Sequence, residues 1–235
     1  MIARIKRKLY KALHPVTGEI WMLHRVVEHR SERFEQRALE VTPDWLEQKI
    51  LEYREKGHTF ISIDSIFNFQ FSIFNSSRFV CVTFDDGYQD NYTLAYPLLK
   101  RLGIPFTVYV STGFIDNKQE MWWYPGEQLG MSSNELKGMN ADPLCTIGAH
   151  TVSHPKLDNL SYEEQYKEIA DSKLELERLL GHPIEHFSFP HGAHNGDTLA
   201  ICQKLGFKTF AQSWGGCIRK RMLLNPLPRI EIIQP

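Results

Sequence analysis

The chain has 235 residues, a hydrophobic fraction of 42%, a charged fraction of 23% and a formal net charge of -1. These values are typical of one soluble globular domain with a full core. A nearly neutral chain has no basic field that would attract nucleic acid, and the sequence contains no apolar run long enough to predict a membrane span.

The four cysteines, Cys81, Cys145, Cys202 and Cys217, are far apart and show no C-x-x-C spacing. This distribution argues against a zinc ribbon and against a disulfide framework. We expect free thiols in a reducing compartment. The sequence also shows no internal repeat, low-complexity tract or linker.

The first 19 residues form a predicted segment of their own. Ile2, Ile5, Leu9 and Leu13 recur at helical spacing with basic residues between them, which is typical of a basic amphipathic helix. One interpretation is a surface helix that closes the bottom of the domain, and the other is peripheral docking on the anionic inner membrane surface. Because the segment lacks the continuous apolar stretch of a signal peptide, we expect a cytoplasmic location.

Residues 20–235 form the predicted catalytic domain. Strand-like and helix-like segments alternate there, which favours an α/β architecture with parallel strands. The predicted strands, in chain order, are Ile20–His24, Thr59–Ile63, Phe79–Phe84, Pro105–Ser111, Leu144–Ala149, Glu185–Phe189, Phe207–Gln212 and Pro228–Ile233. The predicted helices are 43–56, Asn91–Leu102, Ser161–Leu180 and Asp197–Leu205.

Local signals support the starts of these helices. Thr42 is a plausible N-cap, with Pro43 at the first helical position. Ser161 and Glu164 have the spacing of a capping box. Asp90 precedes the helix that begins near Asn91, and we expect its carboxylate to cap the free N–H groups there.

Two adjacent carboxylates, Asp85 and Asp86, follow the apolar strand Phe79–Phe84 and precede Gly87. Adjacent strand residues point to opposite sides, and glycine lets the backbone turn sharply. The two acids can therefore leave the end of the strand in different directions. One of them can bind a metal while the other accepts a proton.

Two imidazoles four residues apart, His150 and His154, come after another predicted strand. In α/β folds the carboxyl ends of parallel strands carry the chemistry. Together with Asp86 these histidines make a two-histidine, one-carboxylate set, which suits a divalent metal, zinc first, with cobalt, nickel, manganese or iron as alternatives. Asp85 remains beside this set as the general base for a water whose pKa the metal lowers.

Three motifs together resemble the polysaccharide deacetylase family, the NodB-homology group of metal-dependent carbohydrate N-deacetylases (carbohydrate esterase family four). They occur in the family's order: Phe84-Asp85-Asp86-Gly87, His150-x-x-Ser153-His154-Pro155 and Phe189-Pro190-His191-Gly192. The resemblance extends from about Ile20 to the C-terminus and includes the branch motifs Met22-Leu23-His24-Arg25-Val26 and Leu227-Pro228-Arg229-Ile230. It implies an irregular (β/α)7-type barrel in a single domain.

The sequence departs from the family pattern in the partner of the base. Ser188 stands where many members have an arginine that pairs with the catalytic base. Arg229 stands where the family's Leu-x-His motif has its histidine. We expect Arg229 to lie beside Asp85 and keep it ionised, and the alternative is a surface arginine.

The second departure is the missing general acid, because the Leu-x-His histidine supplies it in the family. We expect His24 to protonate the departing amine, and the alternative is a core histidine with no catalytic role. His191 and His194 are weaker candidates for the acid. The resemblance also implies that Pro190, His191 and Gly192 contact substrate, and the backbone N–H of His191 is expected to help hold the oxyanion.

The stretch Phe114–Met139 has the character of an inserted loop and carries Trp122 and Trp123. Exposed aromatic rings beside a sugar site can stack on pyranose faces. The alternative is that both rings pack the loop onto the barrel. We expect at most one of the two to contact substrate.

The resemblance therefore implies a metal-dependent N-deacetylase, which hydrolyses the acetamide of an N-acetylated sugar to an amine and acetate. The sugar would belong to a polysaccharide, an oligosaccharide or a glycolipid precursor. One alternative is an O-deacetylase or another amide hydrolase on the same site. Another is a ferrous oxygenase, which would have no use for Asp85. The third is a non-catalytic carbohydrate-binding protein of degenerate deacetylase origin.

Overall fold

The computed structural model describes residues 16–66, 78–219 and 225–235. Residues 1–15 of the predicted amphipathic segment lie outside these ranges. The amphipathic helix, its contact with the inner membrane and the cytoplasmic location therefore stay predictions. Within the described ranges, no helix is both long and apolar enough to cross a bilayer.

Strands and helices alternate along the described chain. The strands are β1 Val16–Leu23, β2 Arg25–Val26, β3 Glu40–Val41, β4 Thr59–Phe60, β5 Phe79–Phe84, β6 Phe106–Val110, β7 Cys145–Ala149, β8 His186–Ser188, β9 Thr209–Gly215, β10 Ile218–Arg219 and β11 Leu227–Glu231. The helices are α1 Phe34–Arg37, α2 Pro43–Glu55, α3 Tyr96–Leu102, α4 Ser133–Asn140, α5 Tyr162–Leu180 and α6 Gly196–Lys204.

Seven strands close into a parallel barrel in the order β1, β5, β6, β7, β8, β9 and β11, and β11 pairs again with β1. Strand β4 pairs with the beginning of β5, and β10 pairs antiparallel with the beginning of β1. The predicted single-domain barrel of the (β/α)7 type is confirmed. Because every barrel strand runs in the same direction, all their carboxyl ends meet at one mouth.

Strand β5 shows why the sequence favours this fold. Val80, Val82 and Phe84 belong to the core that packs against the surrounding helices, whereas Phe79 and Cys81 belong to the cluster inside the barrel. All six residues of the strand are buried. A parallel strand that is buried on both faces reads as a continuous apolar run, and this run predicted the strand correctly.

The predicted helix starts are also confirmed for α2 and α5. The Thr42 hydroxyl accepts a hydrogen bond from the backbone N–H of Trp45 at 3.4 Å. Ser161 and Glu164 make both bonds of the predicted capping box. These signals are local in sequence, so the rest of the fold does not alter them.

The prediction of a plain inserted loop over Phe114–Met139 is wrong at its end. Residues Ser133–Asn140 form α4, and a capping box between Ser132 and Glu135 starts it. A buried cluster of its own, built on Tyr88, Phe114, Met121 and Tyr124, anchors the preceding stretch. The insertion is therefore a packed element of the barrel mouth.

The predicted cap at Asp90 is wrong as well. Its side chain makes no capping bond, and residues Asn91–Ala95 form a π-helical turn ahead of α3. The carboxylate instead accepts hydrogen bonds from Arg25 and from the backbone of Val26. These partners come from β2, a two-residue strand that pairs with β3 and is too short to give a sequence pattern.

Candidate active site

A cavity of about 490 Å³ opens at the mouth formed by the carboxyl ends of the barrel strands. Its wall includes most of the residues that the sequence singled out for chemistry. They are His24, Asp85, Asp86, Trp122, Trp123, His150, His154 and His191. His24 follows β1, the two aspartates follow β5, and His150 follows β7. The parallel barrel therefore brings together residues that are far apart in sequence.

Three buried side chains converge in this cavity. The Nε2 atom of His150 lies 3.4 Å from Asp86 Oδ1, and Nε2 of His154 lies 3.2 Å from the same oxygen. One ligand atom from each of the three residues lies within 4.8 Å of the others. The structure thus places the predicted metal ligands together.

The hydrogen bonds around these potential ligand atoms show whether the three side chains are suited to bind a cation. The Nδ1 atom of His150 lies 2.7 Å from the carbonyl of Ser188, which can only accept, so Nδ1 carries the proton and Nε2 presents a lone pair. Among the described residues, Asp86 Oδ1 and His154 Nδ1 are buried without a hydrogen-bond partner. A buried carboxylate oxygen next to an imidazole lone pair is costly unless a cation binds both. The donor set therefore fits a divalent metal.

The backbone at the site is held in an uncommon conformation. Asp86, His154 and His191 have φ angles of +74°, +61° and +57°, in the left-handed region. Such residues cost on the order of 1–3 kcal/mol each and concentrate at functional sites. Gly87 continues the turn at φ +79°, and an added Cβ would lie 3.0 Å from Val110 Cγ1. Glycine thus allows Asp86 to turn away from Asp85.

Asp85 makes a two-pronged ion pair with Arg229. Its Oδ1 and Oδ2 atoms accept bonds of 2.7 and 2.6 Å from the guanidinium, which also donates to the Ser188 hydroxyl at 2.7 Å. Burial opposes ionisation of Asp85, but the charges of Arg229 and His150 outweigh it and hold the pKa of Asp85 below its usual value. Arg229 is only 1% exposed, so it is not a surface arginine.

His24 is half-buried and lines the cavity beside the two aspartates. His191 also lines it, with its ring centroid 4.6 Å from that of His154. His194 instead stacks on Phe189 at 4.6 Å and is absent from the cavity wall. Among the histidines of the described ranges, His24 and His191 are therefore the two that line the cavity without being predicted metal ligands.

The two tryptophans differ in their surroundings. Trp123 donates a hydrogen bond of 2.6 Å from Nε1 to the Tyr88 hydroxyl, and its ring lies 4.9 Å from that of His154. Trp122 is 69% exposed and meets Trp123 edge-on. Trp123 is thus fixed in the wall, whereas Trp122 offers a free ring face at the opening.

Of the three residues in the 190–192 turn that were predicted to contact substrate, only one lines the cavity. His191 lines the cavity, but Pro190 and Gly192 are buried and do not contribute to its wall. An added Cβ at Gly192 would lie 2.3 Å from a ring carbon of Trp214. Pro190 and Gly192 therefore shape the turn that presents His191.

Residues 75–210 match the polysaccharide deacetylase family. This match covers more than half of the chain. The chain belongs to the polysaccharide deacetylase family. The predicted family resemblance is confirmed.

Two solved structures of similar fold cover nearly the whole chain. The deacetylase PplD of Streptococcus pyogenes, solved with acetate, is 28% identical with a TM-score of 0.79, and the match covers 93% of both chains. IcaB of Ammonifex degensii is 24% identical with a TM-score of 0.75, covering 92% of both chains. The second likeness shows the fold alone.

Sequence relatives share less of their length with this polysaccharide deacetylase family member. YxkH of Bacillus subtilis (strain 168) is 29% identical over 157 residues, which is 67% of this chain and 52% of YxkH. A poly-β-1,6-N-acetyl-D-glucosamine N-deacetylase of Staphylococcus aureus is 29% identical over 140 residues, which is 56% of this chain and 46% of that protein. The chain thus spans about half the length of the curated relatives it matches.

Sequence reasoning missed several residues of this family member's site. Ser188 was recognised only as a departure, yet its hydroxyl binds Arg229 and its carbonyl fixes the His150 ring. Glu35, Gln36 and Leu39 line the cavity from α1 and the turn after it. No motif marks this short stretch, because four helical residues are too few to show a period.

Proposed function

We propose that this chain is a metal-dependent N-deacetylase that hydrolyses the acetamide of N-acetylated sugars in a polysaccharide. One observation carries the proposal. A single cavity joins an Asp-His-His donor set to a second carboxylate, Asp85, that a buried arginine holds. A metal hydrolase needs both parts, whereas a ferrous oxygenase has no use for the second carboxylate.

The metal would be held by Asp86, His150 and His154. When bound, a divalent ion of this kind polarises the acetamide carbonyl and lowers the pKa of a water molecule. Zinc is the proposed ion, with cobalt, nickel, manganese and iron as alternatives for the same donors. Ser188 sets the orientation of the His150 ring through the bond to Nδ1.

Asp85 is the proposed general base. Arg229 keeps its carboxylate ionised and oriented, and the carboxylate lies 3.9 Å from His150 Nε2, beside the metal donors. The base takes a proton from the attacking water, whose oxygen forms the new bond to the carbonyl carbon. The backbone N–H of His191, at the cavity wall, is the proposed donor to the oxyanion.

His24 is the proposed general acid. As the carbon–nitrogen bond breaks, the sugar nitrogen takes the bonding electron pair and needs a proton, which the imidazolium supplies. The water thus ends as part of acetate, and the sugar leaves with a free amino group. His24 lines the cavity that holds Asp85, which supports this assignment.

The proposed substrate is a polymer of N-acetylglucosamine. The Staphylococcus aureus relative is named for deacetylation of such a polymer, and this name supports the proposal. The exposed ring of Trp122 at the opening of the cavity would stack on one pyranose face. Trp123, which is fixed by Tyr88, would form the wall beneath it.

The test is acetate release by zinc-loaded protein from poly-β-1,6-N-acetylglucosamine, chitin oligosaccharides and an O-acetylated polymer. Asp85→Asn removes the base, and Asp64→Asn at the other end of the barrel is the matched control. We expect release from an N-acetylated polymer by the parent and by Asp64→Asn, with little from Asp85→Asn.

Other results would favour the alternatives. Release from the O-acetylated polymer alone would indicate an O-deacetylase. Glycan binding without release from any polymer would indicate a carbohydrate-binding protein. Consumption of dioxygen by iron-loaded protein would indicate an oxygenase.

A further inference from the structure

Two consecutive residues after β5, Asp90 and Asn91, hold the segment that carries His24. Asn91 Nδ2 donates a bond of 2.8 Å to the His24 carbonyl. The Asp90 carboxylate accepts from the Arg25 guanidinium at 2.7 Å and from the backbone N–H of Val26 at 3.1 Å. Each residue of the segment His24–Val26 therefore has a hydrogen bond to this pair.

Asp90 and Asn91 are largely buried beside the point where β1 and its hydrogen bonds to the neighbouring strands end. Strand β1 ends at Leu23, so His24 lies beyond the barrel's regular hydrogen bonding. Asn91 is fully buried, and the Asp90 side chain is 12% exposed. Burial of polar groups is unfavourable unless they are hydrogen-bonded. Asn91 Nδ2 and the Asp90 carboxylate bond to this segment, whereas Asn91 Oδ1 has no hydrogen-bond partner among the described residues.

The His24 ring has no such support of its own. Within the part of the chain that the structure describes, no side chain is hydrogen-bonded to its imidazole. The ring position therefore depends on where its main chain is fixed. That main chain is held by Asn91 on one side and, through Leu23, by the backbone N–H of Asp85, which donates to the Leu23 carbonyl at 2.9 Å.

We propose that Asn91 is a positioning residue, whose amide fixes the main chain of His24 so that the imidazole reaches the leaving amine. The Asp90 carboxylate fixes Arg25 and Val26, the two residues that follow His24. The proposed base Asp85, the proposed metal ligand Asp86 and the positioning residue Asn91 then all lie in the short segment 85–91 that follows β5. This proposal rests on the proposed function, because that function makes His24 the general acid.

A double-mutant cycle tests the proposal. Asn91→Ala should lower kcat on the order of 10²-fold, because a misplaced acid loses its geometry, while KM and zinc affinity change little. In a His24→Ala background the same substitution should cost little more, since both residues act through one group. Additive losses in the double variant would overturn the proposal.

Two further variants separate positioning from packing. Asn91→Asp keeps the shape but replaces the donor with an acceptor that faces the His24 carbonyl, so we expect the same loss as with alanine. Full activity in Asn91→Asp would show that the residue only fills space. Ser172→Ala removes another buried hydrogen bond, to Ile169 on α5, and should leave kcat unchanged.

A spectroscopic readout keeps this test separate from the test of the proposed function. The histidine side-chain NMR signals of zinc-loaded protein without substrate should show a shift of the His24 resonances in Asn91→Ala, with His186 unchanged. Unshifted His24 resonances would contradict the proposal even if the parent releases acetate. A shift would support the positioning role even if no tested polymer is a substrate.

Discussion

The two ends of the barrel carry similar groups of side chains with different surroundings. At the carboxyl ends of the strands, called the upper end here, Asp86 lies with His150 and His154 and forms the upper group. Near the opposite, lower end, Asp64 lies with Glu185 and His186 and forms the lower group. In both groups the potential ligand atoms lie within 4.8 Å of one another. By residue type and spacing alone, both would qualify as metal sites.

Hydrogen bonding separates the two groups. At the lower end, both nitrogens of His186 have partners at 2.9 Å, Asp64 and Thr209, and Glu185 pairs with Lys208 at 2.5 Å. At the upper end, His150 has one nitrogen satisfied by the Ser188 carbonyl, and its other nitrogen lies 3.4 Å from Asp86 Oδ1. That oxygen accepts no hydrogen bond from any described residue. Hydrogen bonds satisfy the lower group, whereas the upper group leaves Asp86 Oδ1 available to a cation.

Burial and backbone conformation differ in the same direction. Asp64 is exposed, whereas Asp86, His150 and His154 are all buried. Asp86 and His154 adopt left-handed backbone, but neither Asp64 nor His186 does. Two features therefore distinguish a candidate metal site from an ordinary hydrogen-bonded cluster: its potential ligand atoms lack hydrogen-bond partners, and its residues are buried and have a strained backbone.

The largest expected effect is on catalysis at the upper end. Asp85→Asn should lower kcat about 10²- to 10⁴-fold, because the base is lost. It should also lower the free energy of unfolding by about 3–5 kcal/mol, since Arg229 stays buried without a counter-charge. Acetate release by folded protein, checked by circular dichroism, measures the first effect. Equal activity of Asp85→Asn and the Asp64→Asn control would contradict the assignment of the base.

The next effect is on metal affinity, which compares the two groups directly. His150→Ala should weaken zinc binding by on the order of 10²-fold or more, because a ligand is lost. His186→Ala should leave the affinity unchanged, since its hydrogen bonds already satisfy both ring nitrogens. Competition with a zinc-binding dye measures both variants. A second zinc ion per chain that disappears in His186→Ala would show that the lower group is also a site.

A smaller effect is expected at the opening of the upper cavity. Trp122→Ala should raise KM for a polymeric substrate about three- to tenfold, which corresponds to the loss of roughly 0.5–1.5 kcal/mol of ring contact. The value of kcat should change little, because the indole lies away from the reacting groups. Steady-state kinetics with Tyr162→Ala, an exposed aromatic residue that does not line the cavity, provides a comparison. An unchanged KM in Trp122→Ala would leave this ring without a role in binding.

The smallest effect is on stability at the lower end, and it depends on pH. The hydrogen bond from His186 holds the pKa of Asp64 below its usual value, against a smaller opposing effect of burial. This contribution is present above the unfolded pKa of about 3.9 and is lost as the pH falls through the lower folded value. Asp64→Asn should therefore lower stability by less than about 1 kcal/mol at pH 6.

Urea unfolding at several pH values measures this difference between the parent and Asp64→Asn. The two curves should begin to approach each other near pH 4 and should meet only at lower pH, where the carboxylate of the folded parent becomes protonated. A difference that persists or grows under acidic conditions would show that the aspartate acts through its shape rather than its charge.

Local patterns predicted much of this fold. The apolar run of β5 and the capping box of α5 depend on neighbours in the sequence, so both could be recognised before folding. The short strands β2 and β3 could not be recognised, because two residues show no period. Asp90 was misassigned because a helix-capping role is read from nearby residues, whereas its actual partner, Arg25, lies 65 positions away.

The sequence by itself determined the residue types of the site: adjacent aspartates after a buried strand, paired histidines after another, and a lone arginine on the last. The tertiary structure decided which of these atoms remain free to bind. The Ser188 carbonyl from β8 fixes the His150 proton on Nδ1, and Arg229 from β11 occupies both oxygens of Asp85. Ligand availability is set by hydrogen-bond partners from distant strands, and only barrel closure brings those strands together.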